Sequence, residues 1–92
     1  MARYDVVHLY YGEEVGIETT DPNVLEQIEI AARQRYPRSK QERGDWRILI
    51  KGLKREEYYD LFWSLLSLLT QQGWEPFAKF NLSMINLRRV ID

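Results

Sequence analysis

The sequence predicts a single α+β domain over residues 1–92, with a mixed sheet of four or five strands and two helices mainly on one face. Short runs of β-branched and aromatic residues with a two-residue alternation indicate strands, and two longer segments carry apolar residues at helical spacing. These segments follow one another as strand hairpin, helix, strand, helix, strand and strand. With 92 residues and 45% hydrophobic content, the chain can bury one core without disulfides.

The first strand is predicted in YDVVHLYY, residues 4–11, because the run alternates between two faces and is rich in residue types that fit a pleated strand. Residues 12–16 provide a turn, and VGIET at 15–19 is predicted to return as the second strand of a hairpin. The sequence therefore begins with two strands that pair.

The first helix is predicted to start at Asp21 and Pro22. An aspartate side chain can accept hydrogen bonds from the free N–H groups of a first helical turn, and proline at the first position gives up no donor that the helix needs. The apolar residues then share one face to about Tyr36, and Pro37 ends the helix.

The middle of the chain combines a strand with a second helix. The polar residues 37–45 are interpreted as a linker, and WRILIKG at 46–52 predicts a strand buried on at least one face. KREEYYDLFWSLLSLLTQQG at 54–73 predicts the second helix, with Gly73 as its left-handed cap.

The chain ends in two predicted strands, WEPFAKF at 74–80 and SMINLRRVI at 83–91, and Pro76 should push the first of them to an edge or a bulge.

The second helix has more apolar surface than a helix on a sheet needs. Its polar side chains fall within about 100° of one another on the helical wheel, and apolar side chains occupy about 180° opposite. Two explanations stay open: the first helix covers the excess, or the excess forms a protein interface. For the interface, the sequence predicts Tyr59 and Trp63, one turn apart, together with Leu66.

The charges are distributed unevenly along the chain. Residues 5–29 hold seven acids and no base, and residues 33–55 hold nine bases against Glu42 and Asp45. The two blocks could neutralise each other within one domain, or either could attract a charged partner.

The basic stretch 33–55 is a candidate nucleic-acid site, and Tyr36 or Trp46 could stack on a base. Against this, the chain has a pI near 5.8 and no known nucleic-acid-binding motif. A solvated loop, an acidic protein partner, or cations beside the last carbonyls of the first helix would also explain the pattern. The candidate contacts are Arg33, Arg35, Arg38, Lys40, Arg43 and Arg47.

Catalytic groups are scarce. The chain has no cysteine and one histidine, His8, which is interpreted as structural. The segment GEEVG has neither the phosphate-loop ending nor the spacing of a dinucleotide-binding loop. We therefore expect no enzyme, no metal and no cofactor. The lack of cysteines, of a signal-peptide pattern and of any apolar run of about 18 residues predicts a cytoplasmic protein without a membrane segment.

The C-terminal part resembles a known kind of domain. The run LFWSLLSLLTQQGWEPF followed by NLRRVI, and within it the tripeptide Gly73, Trp74 and Glu75, is similar to a small bacterial domain family of unassigned function. In that family an amphipathic helix ends in G-W-E and leads into a hairpin. The resemblance covers residues 61–91; it implies a fold for that part and no activity.

The function predicted from the sequence is a small non-enzymatic interaction or regulatory module, self-associating as a homodimer through the apolar surface of the second helix or binding another protein. The alternative is an RNA- or DNA-binding accessory protein that uses the basic stretch 33–55.

Overall fold

Six strands and two helices form in the computed structural model, which describes residues 3–81 and 83–91. The elements are β1 (Tyr4–Tyr11), β2 (Val15–Thr19), α1 (Pro22–Arg35), β3 (Lys40–Arg43), β4 (Arg47–Lys51), α2 (Arg55–Gln71), β5 (Glu75–Asn81) and β6 (Met84–Val90). The predicted α+β class with two helices is confirmed.

The strands form one sheet in the order β3-β4-β2-β1-β6-β5, and every pair of neighbours is antiparallel. The prediction of a mixed sheet is therefore wrong. Each helix does connect two strands that run in the same direction, but those strands are not neighbours. β4 lies between β2 and β3, and three strands lie between β4 and β5.

The sheet has six strands and not four or five, because the segment interpreted as a linker contains β3. The four residues of β3, Lys40–Arg43, are all polar or charged, and they pair with β4 at the edge of the sheet. A strand of this composition has no apolar alternation that sequence analysis could detect.

Both helix starts are held by local hydrogen bonds. The Asn23 backbone N–H donates to the Asp21 carboxylate at 3.1 Å, and Pro22 is the first helical residue of α1, as predicted. In α2 the Lys54 backbone N–H donates to the Glu57 carboxylate at 2.8 Å. Gly73 has a φ of 92°, so the predicted left-handed end of α2 is confirmed.

The core lies between the helices and one face of the sheet. α1 packs over β2 and β4, and α2 packs over β1 and β2, with the two helices in contact. The helix-facing strand residues that are buried in this layer are Val7, Leu9, Val15, Ile17, Ile48, Ile50, Ile85 and Leu87. In the described part of the chain, no helix covers the opposite face of the sheet, which we call the open face.

Both edges of the sheet are protected against pairing with another strand. β3 is short and charged. β5 carries Pro76, and its pairing with β6 shifts register twice, between Pro76 and Ala78 and between Lys79 and Asn81. Such edges are poor templates for strand addition, so contacts with other proteins must use the faces of the domain.

On the open face, the Tyr10 ring lies directly over Gly16, its pairing partner on β2. A Cβ atom at Gly16 would lie 2.0 Å from the Tyr10 Cζ. The ring therefore fills the space that a side chain on β2 would occupy. Burial raises the pKa of the Tyr10 phenol, and the nearby carboxylates of Glu18 and Glu14 raise it further.

We expect Gly16→Ala to destabilise the fold, because the added methyl group displaces the Tyr10 ring. Overpacking of this kind costs roughly 1–3 kcal/mol, which urea unfolding of the variant would measure. Gly12→Ala is the matched control, since a Cβ at Gly12 meets nothing within 4 Å. Equal stability of the two variants would contradict the described position of Tyr10.

Candidate interaction surfaces

The first candidate surface is an aromatic patch on α2, formed by the predicted interface residues Tyr59, Trp63 and Leu66. Tyr59 is 53% exposed and Trp63 is 40% exposed, whereas Leu66 is half-buried against the core. Large aromatic side chains at the surface of a stable helix are typical of residues that dominate protein interfaces.

The patch is connected to the core through ring contacts. The Tyr59 ring lies edge-on to Trp63, with centroids 6.1 Å apart, and Trp63 in turn lies edge-on to buried Phe62 at 5.4 Å. Tyr11 of β1 contacts both Tyr59 and Phe62. These contacts hold the exposed rings in place, so little side-chain entropy remains to be lost on binding.

The polar stripe of α2 is not simply solvated, because part of it faces α1 and the segment after it. Asp60 accepts two hydrogen bonds from the Arg35 guanidinium, at 2.6 and 2.8 Å, and a further one from the Tyr36 hydroxyl. Glu57 pairs with Arg38. α1 therefore docks against the acidic side of α2, and the aromatic patch stays exposed.

The second candidate surface, the basic stretch, is largely engaged in ion pairs with the chain's own acids. Besides the Arg35 and Arg38 pairs, Arg33 and Arg43 both reach the carboxylate of Glu29, at 3.0 and 3.4 Å. Of the six predicted contact residues, only Lys40 and Arg47 make no ion pair within the described part of the chain. Much of the local positive charge is thus compensated inside the domain.

These pairs shift the protonation of the acids. The Arg35 guanidinium, followed by the Tyr36 hydroxyl, lowers the pKa of Asp60 to about 2. The Lys54 backbone N–H, followed by Arg38, lowers the pKa of Glu57. Both carboxylates therefore stay ionised throughout the neutral range.

The third candidate surface is the open face, which sequence analysis did not identify as an interface. Its centre is formed by the outward side chains of β1 and β6: Tyr4, Val6, His8, Tyr10, Met84, Asn86, Arg88 and Val90. The signal was present in the alternation of residues 4–11, because that strand carries apolar side chains on both faces. A strand with one solvated face would show polar residues there.

Specific contacts order the centre of the open face. The His8 and Asn86 side chains are hydrogen-bonded, and the His8 ring lies 5.4 Å from the Tyr10 ring. Arg88 lies over the Tyr4 ring and over the Phe77 ring of β5, at 4.7 and 5.4 Å. The buried Nε of Arg88 has no hydrogen-bond partner in the described part of the chain.

A hollow of about 590 Å³ lies beside β1 on the open face. Val6 and His8 line it from β1 and Glu18 lines it from β2, and Asp45, Trp46 and Arg47 complete it from the start of β4. The Trp46 side chain is 59% exposed. The hollow therefore offers apolar surface next to carboxylates.

Sites of other kinds were sought within residues 3–81 and 83–91. No group of three histidine, cysteine, aspartate or glutamate side chains there is arranged to hold a metal ion. His8 contacts Asn86 and Tyr10, and its structural role remains a prediction. Neither described helix has the length and apolar character needed to span a membrane.

We expect Asp60→Asn to lower the free energy of unfolding at neutral pH, because it weakens the pair with Arg35. Both partners are substantially exposed, so the loss should be no more than about 1 kcal/mol. Since the folded pKa of about 2 lies below the ordinary 3.8, the contribution is complete well above pH 4 and disappears as the pH falls through 2.

Urea unfolding of wild type and variant between pH 7 and pH 2 would test this expectation. Asp45→Asn is the control, because Asp45 is exposed and makes no ion pair in the described part of the chain. A difference between wild type and Asp60→Asn that stays constant with pH would contradict the assignment.

Comparisons of the chain with protein-family models, with curated proteins and with solved structures find no match. The resemblance of residues 61–91 to a helix-GWE-hairpin family therefore stays a prediction, although α2, Gly73 and the β5–β6 hairpin do follow one another in that order.

Proposed function

We propose that this protein is a small non-enzymatic interaction module that self-associates through the aromatic patch of α2. The observation that carries the proposal is the pair Tyr59 and Trp63, both about half exposed and both held by ring contacts that lead to Phe62 and Tyr11 in the core. An exposed pair of ordered aromatic rings supports binding more strongly than mobile surface side chains would.

A second copy of the chain is the occupant that suits the patch. If two α2 helices cross about a two-fold axis between Tyr59 and Trp63, the Trp63 ring of each copy meets the Tyr59 ring of the other. Aromatic rings favour edge-to-face contacts of this kind, and the same surface serves both copies.

The association through the patch is weak by its area. About half of each of two aromatic side chains corresponds to roughly 200 Å² per copy. Burying twice that area contributes about 10 kcal/mol, which is similar to the about 4–15 kcal/mol of freedom lost on association. We therefore expect association only at high protein concentration.

The mass of the wild-type protein should rise at high micromolar concentration, and Trp63→Ser should abolish that rise without changing the secondary structure. High salt should leave the association intact, because apolar burial is not screened. Ile30→Ser on α1 is the matched control, since Ile30 is 51% exposed and lies outside the patch. Light scattering and circular dichroism provide the readouts.

Two outcomes would refute self-association through the patch. One is a wild-type mass that does not change with concentration, and the other is an equal effect of Trp63→Ser and Ile30→Ser.

Binding of RNA or DNA by the basic stretch 33–55 is the alternative function. The observation in its favour is that Lys40 and Arg47 make no ion pair in the described part of the chain and that Trp46, next to Arg47, is exposed. The ion pairs of the other four arginines count against it, because each phosphate contact would have to replace one of them.

If the alternative were correct, Lys40→Gln with Arg47→Gln would weaken the binding of single-stranded oligonucleotides and flatten its salt dependence. From the pairing described above, we expect no binding by the wild-type protein in low salt, as measured by fluorescence anisotropy. Binding that the double variant weakens would replace the proposed function with the alternative.

A further inference from the structure

We propose that the open face of the sheet docks a second copy of this chain, face to face, about a two-fold axis that runs along β1. This surface is separate from the aromatic patch of α2, and the inference does not depend on the proposed function. It rests on the composition of the open face, on its symmetry and on the hollow beside β1.

The open face has an apolar centre and a charged periphery. On β1 and β6, its outward residues are aromatic or aliphatic except His8, Asn86 and Arg88. Charged residues surround this centre on β2, β3, β4 and β5, and they include Glu18, Lys40, Glu42, Arg47, Lys51 and Glu75. An apolar centre within a polar rim is the usual composition of a protein interface.

A two-fold axis along β1 places β6 of one copy over β2 of the other. β6 carries Arg88, which pairs with Val6 of β1, and β2 carries Glu18, which pairs with His8. Val6 and His8 are neighbours on the same face of β1, so Arg88 of one copy arrives within one residue pair of Glu18 of the other. Two such contacts form, because the operation is symmetric.

The hollow beside β1 is suited to receive the Arg88 side chain of the second copy. It lies on the β2 side of β1, has a volume of about 590 Å³ and is lined by Glu18, Asp45 and the exposed Trp46. The two carboxylates outnumber Arg47, and the indole offers a ring face to a guanidinium. The buried Nε of Arg88, which has no partner within the described residues, would gain one.

The available area is sufficient for a stable dimer. At about 4.8 Å between strands and about 3.3 Å per residue, the sheet presents roughly 500–600 Å² of flat surface, and the side chains increase the accessible area further. Two copies therefore clear the approximately 1,000 Å² that separates a specific interface from a chance contact. Face-to-face sheets pack about 10 Å apart, which leaves room for one layer of side chains from each copy.

The charge balance favours a second copy over a nucleic acid. Four acids on or beside the open face, Glu18, Glu42, Asp45 and Glu75, are matched by four bases, Lys40, Arg47, Lys51 and Arg88. A surface that binds phosphates carries a clear excess of bases. A surface with equal numbers of both signs can instead complement itself.

Self-association through the open face and self-association through α2 would produce different assemblies. The sheet and helix layers are on opposite sides of the domain, so two different two-fold contacts cannot close on one pair of molecules. The larger open face forms the dimer at low concentration, and the smaller aromatic patch joins dimers at high concentration.

The test uses the Trp63→Ser background, in which contact through α2 is removed. In that background the protein should be a dimer at micromolar concentration by sedimentation velocity. Arg88→Glu and Glu18→Arg should each give monomers, because each places like charges opposite one another in both contacts. An equimolar mixture of the two variants should again give dimers, since one contact is native and the other is reversed in sign.

Lys51→Glu is the matched control, because Lys51 pairs with Glu42 of its own chain at 3.0 Å and lies outside the apolar centre. It should leave the dimer intact. If Arg88→Glu does not fold by circular dichroism, Glu18→Arg alone carries the test, since Glu18 is exposed and makes no ion pair in the described part of the chain.

Three results would overturn the open-face dimer. They are a monomeric Trp63→Ser protein at high micromolar concentration, a Glu18→Arg variant that remains dimeric, and a mixture of two folded variants that remains monomeric. The first of these leaves the proposed association through α2 unaffected, because that association is read from the difference between wild type and Trp63→Ser.

Discussion

Burial of one face of the sheet under both helices is the interaction on which the other features depend. Val7, Leu9, Ile17, Leu25 and Phe62 are completely buried in this layer. Each such side chain contributes about 1.5–3 kcal/mol through removal from water, which exceeds what any surface ion pair provides. Because both helices occupy the same side, the opposite side of the sheet is left to solvent or to another molecule.

The local signals in the sequence identified most of the elements. The Asp21-Pro22 start of α1, the left-handed Gly73 and the displacement of Pro76 to an edge strand follow from backbone chemistry that depends on few neighbours. β3 was not recognised, because a charged edge strand is defined by its partner β4 and not by its own alternation. The antiparallel order depends on which strands become neighbours, and crossover length alone does not determine that.

The candidate surfaces were only partly predictable for a related reason. A helical wheel shows that α2 has excess apolar surface and places Tyr59 and Trp63 near its border, but it does not show what covers each side. In the fold, Arg35 and Tyr36 contact Asp60 and turn the acidic side of α2 toward α1. Similarly, the alternation in β1 shows two apolar faces, and only the position of both helices reveals which face is uncovered.

Charge separation along the chain did not become charge separation in space. The acids of residues 5–29 and the bases of residues 33–55 suggested two surfaces of opposite sign, yet Glu29 lies between Arg33 and Arg43 in the fold. The remaining arginine pairs join α1 and its following segment to α2. Since salt screens exposed pairs and their net contribution is small, their main effect is on specificity: they disfavour other placements of α1 over α2. A partner that recognises this domain must therefore use apolar contacts first, and charges can then determine its orientation.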